Sequence, residues 1–430
     1  MHPLRVLITQ RSLRHRAGTE LYAGDVASEL QRRGHAPFVF SPRDGIVGDE
    51  LRLRGIPTVD SLDRLDVEPD VIHGQHTVET LAALVRFPGV PAIYVCHDAV
   101  SGHDLPPRLA RVRRYVAVDE PCYDKVHLEW GIEAVLISRI DTFVDLERFL
   151  PRPPLPEVPV RALLFSNSAH EGSHLPAVRE ACRLAGIDLD VAGTGVGTPC
   201  DEPEKILGEY DIVFAKGRCA AEAMAVGTAV IACDYVGLGG MVTAGNFDVM
   251  RRLNCGFRAL KMPNNVDLIG AEIARYDRQD AADVSARMRS VAALPAAVDQ
   301  YVRLYELAIV EQQGRAEEHE DRDIATSLIA LGRTFDNPGP WEIRTQRAEE
   351  ECLVLRGRVA EQADALHHSR SESTALRAEL ERLVVEITGE RIEHRALRNT
   401  LPFRAREAIL RVPLVSQFAG RSRQRNERRR

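Results

Sequence analysis

No cysteine pair of the CxxC kind occurs in this 430-residue chain. Its eight cysteines (Cys96, Cys122, Cys182, Cys200, Cys219, Cys233, Cys255 and Cys352) are scattered, several of them in apolar runs where cysteine packs as a small hydrophobe. That pattern excludes a disulfide framework and points to a reducing cytoplasm. Long hydrophobic runs are missing too: none approaches the roughly 18 residues of a membrane span. Charge of one sign is not in excess, since the net charge is −7 and the hydrophobic content 44%, so nothing global points to nucleic acid. The chain enters an apolar strand at once, Arg5–Gln10, which leaves no room for a signal peptide. A cytoplasmic protein, soluble or peripheral at the inner face of a membrane, is expected, with two domains and an appendage.

What is present is alternation. Up to about residue 140, short apolar strands (Val6–Thr9, Phe38–Ser41, Val71–His73, Ala92–Cys96, Tyr115–Val118, Ala134–Ile137) are spaced by amphipathic segments, the first a helix from Glu20 to Arg33 closed by Gly34. This is the pattern of a doubly wound parallel sheet. A proline-rich joint, Phe149 to Pro159, disfavours helix and central strand alike. A second set follows, at Ala162–Ser166, Leu189–Gly193, Ile212–Ala215 and Ala229–Cys233, finished by helices over about 266–313. The expected fold class is therefore α/β: two Rossmann-like domains, 1–148 and 160–312, facing a cleft, plus a C-terminal helical extension.

That extension begins with a charged linker, 313–342, broken by Asn337-Pro338-Gly339-Pro340. Over 343–398 a heptad register runs from Cys352 to Leu397, and nine of its fourteen core positions are apolar. It reads as a coiled coil that joins copies of the chain into a homo-oligomer, or as a single solvated helix held by Glu–Arg pairs. The last segment, 399–430, sets Ile409, Leu410, Val412, Leu414, Val415 and Phe418 among arginines. An anionic membrane surface suits such a segment; packing on the second domain or a solvated tail are the other readings. Its arginine-rich end, 421–430, carries no aromatic residue, so nucleic acid is not an expected partner.

The chemistry concentrates between Asp211 and Met241. An apolar strand, Ile212–Ala215, leads through Lys216-Gly217-Arg218 into a helix of small residues around Glu222. A second strand, Ala229–Cys233, leads into the glycine loop Gly237-Leu238-Gly239-Gly240. Loops at the carboxyl ends of parallel strands form the ligand crevice of open α/β sheets. A helix start and a glycine loop there offer free N–H groups to phosphate. Glu222 is placed to hold vicinal ribose hydroxyls, so the stretch reads as a nucleotide-binding half-site. Lys216 and Arg218 are candidate cations for a diphosphate, or else exposed turn residues.

The run Glu222-Ala223-Met224-Ala225-Val226-Gly227-Thr228-Ala229-Val230-Ile231, followed by Gly239-Gly240, resembles the donor-binding segment of retaining GT-B glycosyltransferases of the family 4 type. The resemblance implies that Glu222 contacts the donor's ribose and that Gly239, Gly240 and Met241 contact its diphosphate. It also implies that Gly18, Thr19 and Glu20 stand where the family carries a GGxE-like loop near the donor phosphate and the acceptor. Thr19 reads equally as a helix N-cap with Glu20 in the favourable first turn. The preceding Arg14, His15 and Arg16 suit an anionic acceptor. His97, followed by Asp98 after the strand Ile93–Cys96, matches the histidine that lines the family's cleft, and it is expected to hold a sugar hydroxyl. Gly193 belongs to a glycine cluster that family members place beside the nucleotide.

Histidines 73, 76, 97 and 103 do not have the spacing of a defined zinc site. Asp188-Leu189-Asp190, though a DxD, lies where a strand begins. No metal and no cofactor are expected, the nucleotide-sugar being a substrate.

Two positions depart from the family. An earlier glutamate, eight residues before Glu222, is replaced by Phe214, and the segment Ser166–Gly172 has no permanent cation where an arginine and a lysine are usual. Ser166 is its candidate donor contact. The function expected from the resemblance is transfer of a sugar, with retention and without metal, from a nucleotide-sugar to a glycan or lipid-linked acceptor. The alternative is a catalytically degenerate GT-B protein that scaffolds polysaccharide or cell-envelope assembly.

Overall fold

In the computed structural model the alternation becomes two parallel α/β lobes, both inside the unit that spans residues 1–339. The structure describes residues 2–313 and 321–336, with 375–377, 379 and 382. The first lobe comprises β1 (Arg5–Thr9), α1 (Gly18–Arg32), β2 (Ala36–Phe40), α2 (Ile46–Leu53), β3 (Thr58–Val59), β4 (Val71–Gln75), α3 (Thr77–Arg86), β5 (Ala92–Cys96), β6 (Val112–Ala117), α4 (Glu120–Asp124) and β7 (Ile137–Arg139). Its sheet runs β3-β2-β1-β4-β5-β6-β7 and every pairing is parallel. Helices cover both faces, so Val6–Ile8 and Ile93–Val95 are wholly buried, which is why these strands read as continuous apolar runs.

The second lobe comprises β8 (Arg161–Phe165), α5 (Leu175–Ala185), β9 (Asp188–Ala192), α6 (Pro203–Ile206), β10 (Ile212–Ala215), α7 (Gly217–Val226), β11 (Ala229–Asp234), β12 (Gly237–Met241), α8 (Phe247–Arg252), α9 (Val266–Ile273) and α10 (Arg278–Val291). Its order is β12-β11-β10-β8-β9, parallel except for β12. Each sheet reverses its winding once. Strand β1 leads outward to β2 while β4 leads the other way to β5; β8 and β10 diverge likewise. Ligand crevices form outside the carboxyl ends of strands at such reversals.

Two expectations need correction. The segment 134–137 is a 3-10 turn, Ala134–Leu136, and the strand β7 starts only at Ile137. The expected glycine loop 237–240 is a buried strand, paired antiparallel so that Gly237 sits beside Asp234 and Met241 beside Ile231. Glycines signal backbone freedom, which a turn and a tightly packed edge strand use equally. The heptad register and the arginine-rich tail lie outside the described residues, save for a few helical positions near Leu376.

After α10 the chain returns to the first lobe as α11 (Leu294–Gln312), then continues to α12 (Asp321–Asp336). Ala297, Val298, Tyr301, Val302, Tyr305 and Ala308, at helical spacing, complete the first lobe's core. The Tyr305 hydroxyl lies 2.6 Å from Nδ1 of His73, a fully buried ring on β4. Burial, then the nearby His97, pushes His73 down to about 3, and burial brings His76 to about 3 as well. An unfolded histidine titrates near 6.5, so the unfolded chain binds protons that the folded chain refuses. Stability from these rings is complete above that value and drains as pH falls towards 3. Melting curves of the full chain should therefore show a Tm that falls from about pH 7.5 to about pH 5.5, less steeply for His73→Gln. A wild-type Tm constant over that range would contradict the buried neutral rings.

Candidate functional site

Residues that follow the carboxyl ends of strands in both lobes enclose a cavity of about 140 Å³. Gly18, Thr19 and Tyr22 come from the start of α1, His97 from the end of β5, and Arg218 from the first turn of α7. The crossing segment 140–143 and Asn254 close it, and Thr142 Oγ1 donates to Asn254 Oδ1 at 2.9 Å. No heavy atom stands within 4 Å of where a side chain on Gly18 would begin, so its backbone faces open room.

The loop that presents His97 is held from below. Asp104, wholly buried, accepts from the His97 N–H (2.5 Å) and the Asp98 N–H (2.7 Å) through Oδ2, and from the Tyr94 hydroxyl (2.6 Å) through Oδ1. Lys125, also buried, donates to the carbonyls of Asp98 (2.8 Å) and Ser101 (2.9 Å). Asp98 spends its own carboxylate on this loop, accepting from the Val100 N–H and the Ser101 hydroxyl. Tyr22 packs edge-on against the His97 ring at 4.5 Å. Burial lowers the His97 imidazole to about 4 although Asp104 and Asp98 pull the other way. The ring is neutral at ordinary pH, and its enclosed Nε2 has no hydrogen-bond partner among the described residues.

On the second lobe, α7 is a helix of small side chains laid on β10 and β11 and ended by Gly227 in the left-handed region (φ 100°). Arg218 Nε donates to Glu222 Oε1 at 2.7 Å, one turn along the same helix. Its Nη2 crosses to Asp25 on α1 of the first lobe. Side-chain exposures of 11%, 8% and 3% for Arg218, Asp25 and Glu222 make this an enclosed ion cluster. Arg148, at the joint, adds a guanidinium 4.0 Å from Asp25 and 3.4 Å from Glu204. Burial opposes the Arg218 charge, but Asp25 and Glu222 outweigh it and raise its pKa.

Beside this cluster Lys216 pairs with the fully buried Asp234 and lies over the Tyr235 ring at 5.5 Å. Ser166 Oγ donates to the other oxygen of Asp234 at 3.1 Å. Gly193 is required by packing: a Cβ there would fall 2.0 Å from the Ser166 carbonyl oxygen. His174, at the start of α5, is buried with neither ring nitrogen hydrogen-bonded among the described residues.

Comparison with known proteins now decides the architecture. Residues 16–148 match the family model Glycosyltransferase Family 4. The chain is similar to a glycosyltransferase from Rickettsia africae, with 14% identity over 72% of this chain and 99% of that one and a TM-score of 0.52. It is likewise similar to Anabaena Alr3699/HepE in complex with UDP and glucose, with 15% identity over 70% and 99% and a TM-score of 0.51. No match is found among curated proteins. The fold is GT-B.

In this GT-B chain the cavity unites Gly18, Thr19, His97 and Arg218. Thr19 is not an N-cap, since α1 starts at Gly18 after an uncapped Ala17; its hydroxyl donates instead to Glu20. Glu222 stands directly behind Arg218, outside the cavity lining. Lys216 and Ser166 form a second group around Asp234, at the reversal between β8 and β10, with Gly193 packed on the Ser166 carbonyl. Gly239, Gly240 and Met241 are not brought to the cavity, because antiparallel β12 runs back from the crevice. The Met241 N–H already donates to Glu272 at 2.7 Å, and that carboxylate stands where a Gly240 Cβ would project.

Sequence reasoning missed Asp25, Asp104 and Lys125. Only an isolated charge within an apolar helical stretch, Ala23 to Ala27, marked Asp25. Replacing Asp104 by Asn leaves two loop amides and a tyrosine hydroxyl sharing a neutral acceptor. Asp104→Asn should cost about 2–4 kcal/mol in a urea melt. An unchanged midpoint would show that the loop does not depend on this carboxylate.

Proposed function

We propose that the chain is a glycosyltransferase moving a sugar from a nucleotide-sugar donor to a glycan or lipid-linked acceptor, with retention and without a metal. The observation that carries this reading is the interlobe cavity, whose lining includes both a neutral imidazole, His97, and a guanidinium, Arg218. Sugar transfer requires a group to orient the sugar and a cation to meet negative charge growing on the leaving diphosphate. His97, neutral at ordinary pH, serves the first need by hydrogen-bonding a sugar hydroxyl. Arg218 serves the second, with Lys216 in reserve once Asp234 shares it.

Protein cations in that place make a divalent metal unnecessary. The family match and the UDP and glucose described for the Anabaena protein support the same substrate class. Ligand pockets usually hold about 300–1,000 Å³, so the present cavity of about 140 Å³ suits a sugar ring and the rest of a nucleotide-sugar extends beyond it.

Acceptors of the glycan or lipid-linked type agree with the exposed Arg14 and His15 that precede Gly18 in the chain, while Arg16 is committed to Glu50. Among the described residues no helix is long and apolar enough to cross a membrane. Membrane-surface attachment is assigned to the basic tail, and self-association to the heptads.

A second reading is favoured by specific contacts. Asp234 occupies Lys216, Glu272 occupies the Met241 amide and Arg218 occupies Glu222, which suits a GT-B scaffold without catalysis. Thermal shift with UDP, GDP and ADP and their sugars separates the two. A nucleoside diphosphate at 100 times its Kd stabilises the folded state by about 2.7 kcal/mol. Transfer by wild type to an acceptor extract, lowered about 100-fold or more in His97→Ala, supports the enzyme. Binding without transfer, or no binding, leaves the scaffold.

A further inference from the structure

At one end of the first sheet, side chains on three neighbouring strands keep enclosed polar atoms without a hydrogen-bond partner among the described residues: Gln10 Nε2, Gln75 Nε2 and Oε1, and His97 Nε2. They share a face of the sheet. Ile8 pairs with His73 and Gln75 with Val95, while Gln10 and His97 follow Ile8 and Val95 by two residues. Tyr22 agrees with this side, since its ring meets both His73 and His97, at 5.9 and 4.5 Å. The three groups therefore form a row across β1, β4 and β5, about 4.8 Å from one strand to the next. His97 lines the cavity, and the two glutamines lie beyond its lining.

Gln75 has a fixed base and a free head. Thr9 Oγ1 donates to its carbonyl oxygen and accepts from its N–H, each at 2.9 Å. Nothing among the described residues holds its amide, although the residue is wholly buried. Gln10 is also wholly buried, and only its Oε1 is engaged, by the N–H of Arg11 at 2.9 Å. His76, the next residue after Gln75, has a φ of 60°, strain of the kind kept at functional positions. A buried amide without partners lowers stability, so packing alone would favour leucine at 75.

The chemistry of the row selects its ligand. No member carries a charge, so a phosphate or carboxylate would find no cation within it. A primary amide sets a donor beside an acceptor in either orientation, and a sugar hydroxyl is both at once. Because its amide has no bond to break, Gln75 turns towards an arriving hydroxyl at little cost.

We infer that Gln75 and Gln10 extend the site at His97 into a binding site for the hydroxyls of an uncharged sugar ring. Naming the ligand a sugar rests on the function proposed above. The chemistry is the same for the donor's sugar and for an acceptor's.

Calorimetric titration of the full chain separates these sources. One arm compares UDP-glucose with UDP, GDP-mannose with GDP and ADP-glucose with ADP; the other uses the methyl glycosides of glucose, galactose and mannose. Gln75→Leu should weaken nucleotide-sugars, glycosides or both by about 10-fold and leave the bare diphosphates unchanged. Gln10→Leu should act in the same direction. Loss on nucleotide-sugars alone assigns the hydroxyls to the donor, and loss on glycosides alone assigns them to the acceptor. Gln75→Asn keeps the amide but withdraws it by one carbon, and should lose affinity likewise. The Tm of Gln75→Leu should not fall below that of wild type, since the amide gives up no bond.

Wild-type sugar affinity in both Gln75→Leu and Gln75→Asn overturns the inference. A lowered Tm in Gln75→Leu with sugar affinity kept would mark the amide as the holder of an internal water, and overturns it too. So does a wild type that binds nucleotide-sugars no more tightly than bare diphosphates and binds no glycoside, a result that leaves the nucleotide reading intact. A glycoside bound through Gln75 by a chain that binds no nucleotide would remove the donor reading and leave the inference standing.

Discussion

A guanidinium shared between carboxylates on two separate lobes is the constraint around which this molecule closes. Enclosed charges are unfavourable unless paired, and paired groups must then be held in register. Arg218 meets that demand by drawing Asp25 on α1 and Glu222 on α7 towards one point. The register it imposes places the start of α1, and with it Gly18 and Thr19, against the start of α7. Further ties between the lobes, among them Arg258 to Asp124, Arg252 to Glu120 and Thr142 to Asn254, follow the same seam.

Behind the seam, the parallel sheets decide where chemistry can occur. Burial on both faces turns strand interiors over to packing, so polar groups gather where strands end. Buried atoms without partners cluster there as well: Gln10 Nε2, both amide atoms of Gln75 and His97 Nε2. Ile8 pairs with His73, so Gln10 and Gln75, each two residues further, project to the same face of neighbouring strands. His76, next in the chain, adopts a positive φ of 60°, a strained conformation for a residue with a side chain. Packing gave way to polar function at this edge of the first sheet, and Asp104 and Lys125 hold the loop beside it in shape.

Those features were unequally legible. Apolar alternation announces the strands because a parallel sheet buries both faces, and the edge strands β3, β7 and β12 escaped or shifted. Glycine-rich sequence was ambiguous at 237–240, where close packing against Ala232 and the Leu260 region, rather than a phosphate loop, uses the absent side chains. Lys216, Arg218 and Glu222 stood out because strand, turn and helix follow one another within a few residues. Asp25 did not, since its partner lies 193 positions away and a single sequence carries no mark of that pairing. Asp104 was hidden for a related reason: it acts on the backbone of His97 and Asp98, which any residue type supplies.

The same contacts decide how the cavity can open. Arg258–Asp124 and Arg252–Glu120 are at least 30% exposed on each side, and such pairs are worth about 0–1 kcal/mol in water. Separating them is therefore inexpensive. Asp25 is different, because parting the lobes removes it from Arg218 while Glu222, on the same helix as the arginine, stays with it. Opening thus leaves the arginine half held, attached to the second lobe and freer to turn. Closure brings Asp25 back and fixes the fork again. Charge placement and lobe closure become one event, so the cation is best oriented when water has been excluded and electrostatic interactions are strongest.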